Sequence, residues 1–343
     1  MLLIGLLIIA IGAFCQSSCY VPINKIKDWS WESYWIVQGV FAWLILPFLG
    51  ALLAVPEGHS LCELFTPEQS FNVWMTILFG ALWGVGGLTF GLSMRYLGVA
   101  LGQSIALGTC AGLGTILGPV LLNVFFPEND PLSQLTFSVI LGVVVTLIGI
   151  AIIGIAGSMK AATLSEEEKK AAVKDFNFPK GITIALLAGF MSGCFNVGLE
   201  FGSGINFGSL TPDIYKTLPA TFLVTLGGFV SNAVYCFYQN SKNHTWGDYR
   251  KGSVMLNNLV FCLLAGALWY SQFFGLALGK GFLTDSPTLM TLSFCILMAL
   301  NVVFSNVWGI ILKEWKGCSP RTITVLVVGI IVLVISCFLP QLV

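Results

Sequence analysis

Long apolar runs alternate with short polar segments along the whole chain. A window of about 20 residues, the length that crosses the hydrocarbon of a bilayer as a helix, finds ten candidate membrane spans. They lie at residues 2–23, 33–55, 71–94, 98–124, 135–156, 181–202, 215–237, 252–277, 287–312 and 322–342. The pattern therefore predicts an all-α integral membrane protein. A nine-span alternative stays open, because glycines and polar residues weaken the fourth and sixth runs.

Composition excludes a soluble protein. Hydrophobic residues make up 56% of the chain and charged residues only 9%, which would leave a water-soluble fold without a polar surface. The first run has no basic segment before it and no small-residue cleavage pattern, and Lys25 and Lys27 follow it. It is therefore predicted to be a retained membrane helix and not a secretion signal.

Basic residues are distributed unevenly among the loops. All but two of the 16 Lys and Arg follow odd-numbered spans, and only Lys216 and Lys280 lie on the other side. Cytoplasmic loops of membrane proteins are enriched in Lys and Arg. The pattern predicts that loops one, three, five, seven and nine are cytoplasmic and that both termini are outside.

Sequence signals for other classes of protein are weak. The ten cysteines lack metal-site spacing, His59 and His244 lie far apart in loops, and no phosphate loop or nucleophile elbow is present. We therefore expect no enzyme activity, no cofactor and no metal. A channel is disfavoured because no charged ring or carbonyl filter is recognisable. The dispersed basic residues give no support for nucleic-acid binding.

A short string recurs five spans apart. Gly80-Ala81-Leu82-Trp83 of the third span returns as Gly266-Ala267-Leu268-Trp269 in the eighth. Because five is odd, a repeat of five spans enters the membrane the second time from the opposite side. This predicts two inverted five-helix repeats, residues 1–157 and 181–343, joined by a charged cytoplasmic linker, residues 158–180.

Several longer strings resemble a known family. They are Tyr20-Val21-Pro22, Lys25 to Glu32, Phe79 to Gly84, Gly91 to Gly98, Trp269 to Phe274 and Leu312 to Trp315. In order and spacing they resemble the bacterial L-rhamnose/proton symporter family of the drug/metabolite transporter superfamily, over essentially the whole chain. The resemblance implies a ten-helix inner-membrane carrier that imports L-rhamnose with a proton. Hydropathy and repeat alone also fit a carrier for another sugar or small metabolite, either importer or exporter.

A neutral sugar would need amides, hydroxyls and an aromatic plate. The candidates within the spans are Trp83, Trp269, Tyr270, Gln272, Gln16, Gln103 and Asn196, with Ser104, Ser271, Asn301 and Asn306 as further polar residues. The strongest prediction is the repeat-related pair Trp83 and Trp269, with Gln272 one helical turn from Trp269. The alternative interpretation is that the tryptophans pack the bundle or belong to interfacial belts, and that Gln272 makes only an interhelical hydrogen bond.

Proton coupling needs a group that is neutral in one state and charged in another. Glu200 is the only acid inside the predicted runs, so it is the candidate by elimination. The alternative is that Glu200 is solvated at the outer end of its helix and has no role in transport. Asp213 and Lys216, three residues apart, could form a local ion pair. Arg95 is interpreted as a topology anchor or gate partner.

Overall fold

The computed structural model describes residues 1–97, 99–163, 178–313 and 315–339. Most of the predicted linker, residues 164–177, therefore lies outside the described residues, as do the side chains of Arg95 and Gln103.

Ten helices in the described residues are long and apolar enough to cross a membrane. They are α1 (Leu2–Ser18), α2 (Trp31–Leu52), α3 (Ser70–Leu97), α4 (Val99–Phe125), α5 (Phe137–Ala162), α6 (Phe178–Phe201), α7 (Leu218–Lys242), α8 (Gly252–Lys280), α9 (Pro287–Ile311) and α10 (Pro320–Phe338). No strand occurs in the part that the structure describes. The predicted all-α membrane fold with ten spans is confirmed, including the weak fourth and sixth runs.

Helix α2 is not α-helical throughout. It consists of the α-helical segment Trp31–Gly39, a π-helical turn over Val40–Ile45, and the α-helical segment Leu46–Leu52. Short helical pieces elsewhere complete the chain, at Tyr20–Ile23, Leu61–Leu64, Pro67–Gln69, Pro127–Asn129, Pro131–Gln134, Gly208–Leu210, Asp213–Tyr215 and Thr245–Arg250. A π-helical turn adds one residue to a helical turn, and such turns are frequent at functional sites.

The chain forms two compact units, and each draws on both predicted repeats. Unit 1 comprises residues 1–84 and 201–284, and unit 2 comprises residues 85–200 and 285–343. Unit 1 thus contains α1, α2, the first half of α3, α7 and α8, whereas unit 2 contains the second half of α3, then α4, α5, α6, α9 and α10. The division into repeats at 1–157 and 181–343 stays a prediction from the sequence.

Glycines bring the helices of unit 1 into backbone contact. A Cβ added at Gly5 would lie 2.8 Å from the carbonyl oxygen of Gly279, and one at Gly12 would lie 2.6 Å from that of Ser271. Residue numbers rise along α1 as they fall along α8, so the two helices are antiparallel. Small residues that allow such close approach are the usual basis of helix packing in a bilayer.

Unit 2 contains a reciprocal glycine contact between α5 and α10. A Cβ at Gly149 would lie 2.6 Å from the Leu333 side chain, and one at Gly329 would lie 2.6 Å from the Ile153 side chain. In each direction the glycine meets the residue four positions after the other glycine. The Thr146 hydroxyl donates to Ser336 Oγ at 2.9 Å in the same interface. This pair of helices is therefore packed both by shape and by a buried hydrogen bond.

The two ends of unit 1 are held by different chemistry. At one end, the loop before α2 is hydrogen-bonded to α8 between Lys27 and Asn258, and to the loop before α8 between Ser30 and Asp248. We call this the polar end. At the other end Leu61, Leu64 and Ile205 form a buried cluster with residues of α2 and α7. We call this the apolar end.

Candidate functional site

Three tryptophans and one phenylalanine of unit 1 form a cluster of rings. The centroids of Trp83 and Trp269 lie 5.6 Å apart, and Trp43 stands edge-on to both, at 6.2 Å from Trp83 and 5.7 Å from Trp269. Phe273 lies 5.2 Å from Trp269 and 6.3 Å from Trp83. We call these four residues the tryptophan cluster. Trp43 and Phe273 are buried, whereas Trp83 and Trp269 are half-buried and keep accessible surface.

The two copies of the Gly-Ala-Leu-Trp string build this cluster in the same way. A side chain at Gly80 of α3 would strike the backbone of Val224 in α7. A Cβ at Gly266 of α8 would lie 2.9 Å from Cβ of Phe41 in α2. Each glycine therefore lets its helix approach a neighbour, and the tryptophan three residues later lies on the adjacent turn of the same face.

Trp43 was not among the residues predicted from the sequence. It lies in the π-helical turn of α2 and is 2% exposed. A Cβ at Gly39 would lie 2.5 Å from its ring, so the indole occupies the space that a side chain at position 39 would need. A tryptophan in the middle of an apolar run was the only signal in the sequence, and it did not distinguish Trp43 from its neighbours.

Hydrogen bonds fix the ring next to Trp43. The Trp35 indole N–H donates to Asn232 Oδ1 at 2.9 Å, and the ring lies 5.6 Å from that of Trp43. Asn232 in turn donates to the carbonyl oxygens of Gly228 at 2.8 Å and Gly84 at 3.3 Å. Asn232 thus ties α2, α3 and α7 together beside the tryptophan cluster.

Several polar atoms of unit 1 are buried without a hydrogen-bond partner among the described residues. Among them are Gln16 Oε1, Gln38 Oε1, Trp43 Nε1 and the Tyr270 hydroxyl. Buried polar atoms are nearly always hydrogen-bonded in folded proteins, to protein groups, water or a ligand. These atoms can therefore make further hydrogen bonds, with the indole N–H as a donor and the glutamine oxygens as acceptors.

The other predicted residues of α8, Tyr270 and Gln272, are sequence neighbours of Trp269 and Phe273, and Gln16 lies on α1, which packs against α8. Gln272 is 3% exposed, and its Cα would lie 3.1 Å from a Cβ at Gly12 of α1. Four residues further along antiparallel α1, Gln16 is level with Leu268 and Trp269. Tyr270 is 7% exposed, and its hydroxyl faces Gly50 in the second half of α2.

Two other predicted sugar residues are not part of this cluster. Asn196 belongs to unit 2, is 2% exposed, and donates to the carbonyl oxygen of Gly114 at 2.9 Å. This bond links α6 to α4, as the interhelical role of amides in membrane proteins would lead one to expect. The side chain of Gln103 lies outside the described residues.

The predicted proton-coupling acid also lies in unit 2. Glu200 is half-buried, and its Cγ would lie 2.7 Å from a Cβ at Gly118 of α4. A larger residue at position 118 would require this side chain to shift. Asp213 and Lys216 form the ion pair that their spacing allowed, with 2.5 Å between Lys216 Nζ and Asp213 Oδ1.

Two acids at the polar end of unit 1 are more buried than Glu200. Glu32 in the first turn of α2 is 5% exposed, and its Oε1 accepts hydrogen bonds from Asn243 at 3.0 Å and from the Thr245 hydroxyl at 2.9 Å. The second span predicted from hydropathy begins at residue 33, one residue too late to include Glu32.

Asp248 is the second of these acids. Its Oδ2 accepts from the N–H and the hydroxyl of Ser30, both at 2.8 Å, and its Oδ1 lies 2.6 Å from Lys251 Nζ. Burial alone would raise the pKa of this carboxyl, but the hydrogen bonds from Lys251 and Ser30 outweigh burial and lower the pKa to about 2. Asp248 therefore acts as an ionised anchor for the loop before α2.

Unit 2 carries a groove of about 690 Å³ between α4 and α5. Its lining is mainly aliphatic, for example Leu147, Ile150 and Ile155. Of its few hydroxyls, that of Ser158 already donates to the Gly154 carbonyl oxygen. A sugar needs several polar partners, so this groove is a weaker candidate than the surroundings of the tryptophan cluster.

Ten apolar helices in the described part, each long enough to cross a bilayer, define the class of multi-pass membrane proteins. A model of the L-rhamnose-proton symport protein family (RhaT) matches residues 1–342. The chain is 31% identical to the L-rhamnose-proton symporters of Yersinia pestis (strain Pestoides F) and Yersinia pseudotuberculosis serotype O:1b (strain IP 31758). Each match covers 98% of this chain and 96% of the relative.

The chain therefore belongs to the L-rhamnose-proton symport protein family. The resemblance found in the sequence is confirmed, and so is the expectation of a transporter and not an enzyme, since the family and the relatives are symporters.

Proposed function

We propose that this protein is a secondary active transporter that imports L-rhamnose together with a proton across the bacterial inner membrane by alternating access. The observation that carries the proposal is the contact between Trp83 and Trp269 in a chain of this family. Their half-buried rings supply an apolar plate for the C–H face of a sugar. Gln272 and Gln16 on adjacent helices supply amides for its hydroxyls.

The contacts of the repeated string support the inverted repeat. With a five-helix offset, α3 corresponds to α8 and α2 corresponds to α7. Gly80 brings α3 against α7, and Gly266 brings α8 against α2. A two-fold exchange of repeats converts the first contact into the second. Such pseudo-symmetry is the usual basis of alternating access in secondary transporters.

Glu200 is the proposed proton-coupling residue. Its carboxylate lies on a membrane-spanning helix, where an acid is energetically costly and usually has a function. We further propose that the loops rich in Lys and Arg face the cytoplasm and that both termini are outside. The division into residues 1–157 and 181–343, with a cytoplasmic linker between them, belongs to the same proposal.

Transport by purified protein in liposomes tests this function. Labelled L-rhamnose should exchange against unlabelled L-rhamnose without a proton gradient, and an acidic exterior should drive its accumulation. A protonophore should abolish accumulation but leave exchange. L-fucose and L-lyxose serve as competitors. Saturable exchange of another solute, with none of L-rhamnose, would favour the alternative of a carrier for a different metabolite.

A further inference from the structure

We infer that Trp43 and Gln38 of α2 are specificity-determining residues that hydrogen-bond the hydroxyls of the transported sugar. This inference rests on the proposed function and extends it to two residues that the family resemblance and the repeated string did not indicate.

The indole of Trp43 has a free donor in a place where packing alone would not require one. The ring is 2% exposed and contacts both Trp83 and Trp269. Its Nε1 has no hydrogen-bond partner among the residues that the structure describes. The neighbouring Trp35 provides the comparison, because its N–H donates to Asn232. A phenylalanine would fill an apolar contact without burying an unsatisfied N–H group.

Gln38 supplies an acceptor one turn earlier on the same helix. It is 1% exposed, and its Oε1 lacks a partner within the described part of the chain. Its backbone carbonyl oxygen would lie 3.0 Å from a Cβ at Gly266, so this turn of α2 packs directly on the repeated string that carries Trp269. A hydroxyl group both donates and accepts, so a buried acceptor and a buried donor together suit a polyol.

The backbone of α2 supports the same assignment. Gln38 precedes and Trp43 lies within the π-helical turn Val40–Ile45, a costly geometry that proteins often keep at functional sites. Gly39 is the residue on which the Trp43 ring rests. The ring that contacts Trp83 and Trp269 thus lies over a glycine, where a side chain at position 39 would collide with it.

Sugar binding to the purified full-length protein tests this inference. Calorimetry would compare L-rhamnose with its 2-, 3- and 4-deoxy analogues for the wild type, Trp43→Phe and Gln38→Met. We expect each variant to bind L-rhamnose at least about ten-fold more weakly than the wild type does. One analogue lacks the hydroxyl that the substituted residue would bond, and we expect the variant and the wild type to bind that analogue equally well. Trp35→Phe is the matched control, because its N–H bonds to the protein, and it should leave the ratios among the four sugars unchanged.

The outcomes separate the two proposals. If Trp43→Phe and Gln38→Met weaken all four sugars by one common factor, their effect is packing and this inference is overturned, while L-rhamnose transport stands. If the wild type binds no L-rhamnose, the proposed function itself fails. Thermal unfolding of each variant shows that the protein used for binding is folded, and Gln38→Met keeps the test valid should Trp43→Phe not fold.

Discussion

The indole rings of Trp83 and Trp269 lie in contact, with centroids 5.6 Å apart and planes tilted by 37°. Each tryptophan ends a copy of the same four-residue string, and the glycine three positions before it packs its helix against a neighbour. Gly80 packs α3 against α7, and Gly266 packs α8 against α2. The contact gives the sequence repeat a physical consequence, a shared aromatic surface in unit 1.

Removal of either ring should weaken sugar binding. We expect Trp83→Ala and Trp269→Ala to raise the Kd for L-rhamnose about ten-fold or more, and the corresponding Phe variants to raise it less, because they keep part of the apolar plate. Trp74→Ala is the control, since Trp74 lies on the same helix as Trp83 but is 70% exposed. Equal losses for Trp74→Ala and Trp83→Ala would contradict a direct role for the cluster.

The amide of Gln272 should contribute to affinity. Gln272→Leu keeps the volume of the side chain but removes its hydrogen bonds, and we expect the Kd for L-rhamnose to rise about ten-fold. Gln239→Leu, at the far end of α7, should have no effect on Kd. If Gln272→Leu lowers the unfolding temperature but leaves Kd unchanged, the amide makes an interhelical bond and not a sugar contact.

Exchange and accumulation should separate in a Glu200 variant. Glu200→Gln removes the titratable group, so we expect sugar exchange to continue while accumulation no longer responds to a pH gradient. The measurement is uptake into liposomes at a series of external pH values. Glu57→Gln changes an exposed loop acid and should behave as the wild type. Unchanged pH-dependent accumulation in Glu200→Gln would dismiss Glu200 as the coupling residue.

Asp248 should stabilise the polar end of unit 1 at neutral pH and lose this effect in acid. Its pKa is lowered from an ordinary 3.8 to about 2 in the folded protein, so the unfolded state binds a proton first as the pH falls. Its stabilising contribution is therefore complete above about pH 5 and is lost as the pH falls towards 2.

Thermal unfolding of Asp248→Asn in detergent measures that contribution. We expect a decrease in Tm of about 5 °C or more at pH 7, since removal of one partner leaves Lys251 and Ser30 without theirs. The difference from the wild type should shrink below about pH 4. Asp285→Asn changes an exposed loop acid and should leave Tm unaltered. A difference that stays constant across this pH range would argue against an ionised Asp248 anchor.

Two native cysteines can report the orientation of the chain. Cys62 is exposed in the loop between α2 and α3, and Cys318 is partly exposed between α9 and α10. The charge pattern predicts that the loop with Cys62 is outside and that the loop with Cys318 is cytoplasmic. An impermeant maleimide should therefore label Cys62 in intact spheroplasts and Cys318 only after the membrane is permeabilised, with Cys62→Ser and Cys318→Ser identifying each signal. The reverse result would invert the proposed topology.

Local features of this protein were predictable from the sequence, and features that depend on packing were less so. The ten helices follow from apolar runs of bilayer length, which a window along the chain detects directly. Trp83 and Trp269 were found because an identical string surrounds both. Trp43 escaped prediction because its position depends on a π-helical turn, which has no signature in the sequence.

The division into two compact units was also not predictable from the sequence. Each unit joins residues of both predicted repeats, through contacts distant in sequence. The role of Asn196 in sugar binding stays a prediction, and only the position of Gly114 shows that the Asn196 N–H group also links two helices. Glu32 was omitted because the edge of a hydropathy window is uncertain by a few residues. Its burial could not be predicted either, because it depends on residues far along the chain.

The contrast between the two ends of unit 1 has a consequence for how this unit opens under stress. Contacts such as those of Leu61, Leu64 and Ile205 lose strength on cooling, whereas the hydrogen bonds around Asp248 do not share that dependence. Amide hydrogen exchange should therefore accelerate first around Leu61 and Ile205 near freezing, and first around Ser30 and Lys251 in strong acid. Unit 1 would thus begin to unfold at its apolar end in the cold and at its polar end in acid.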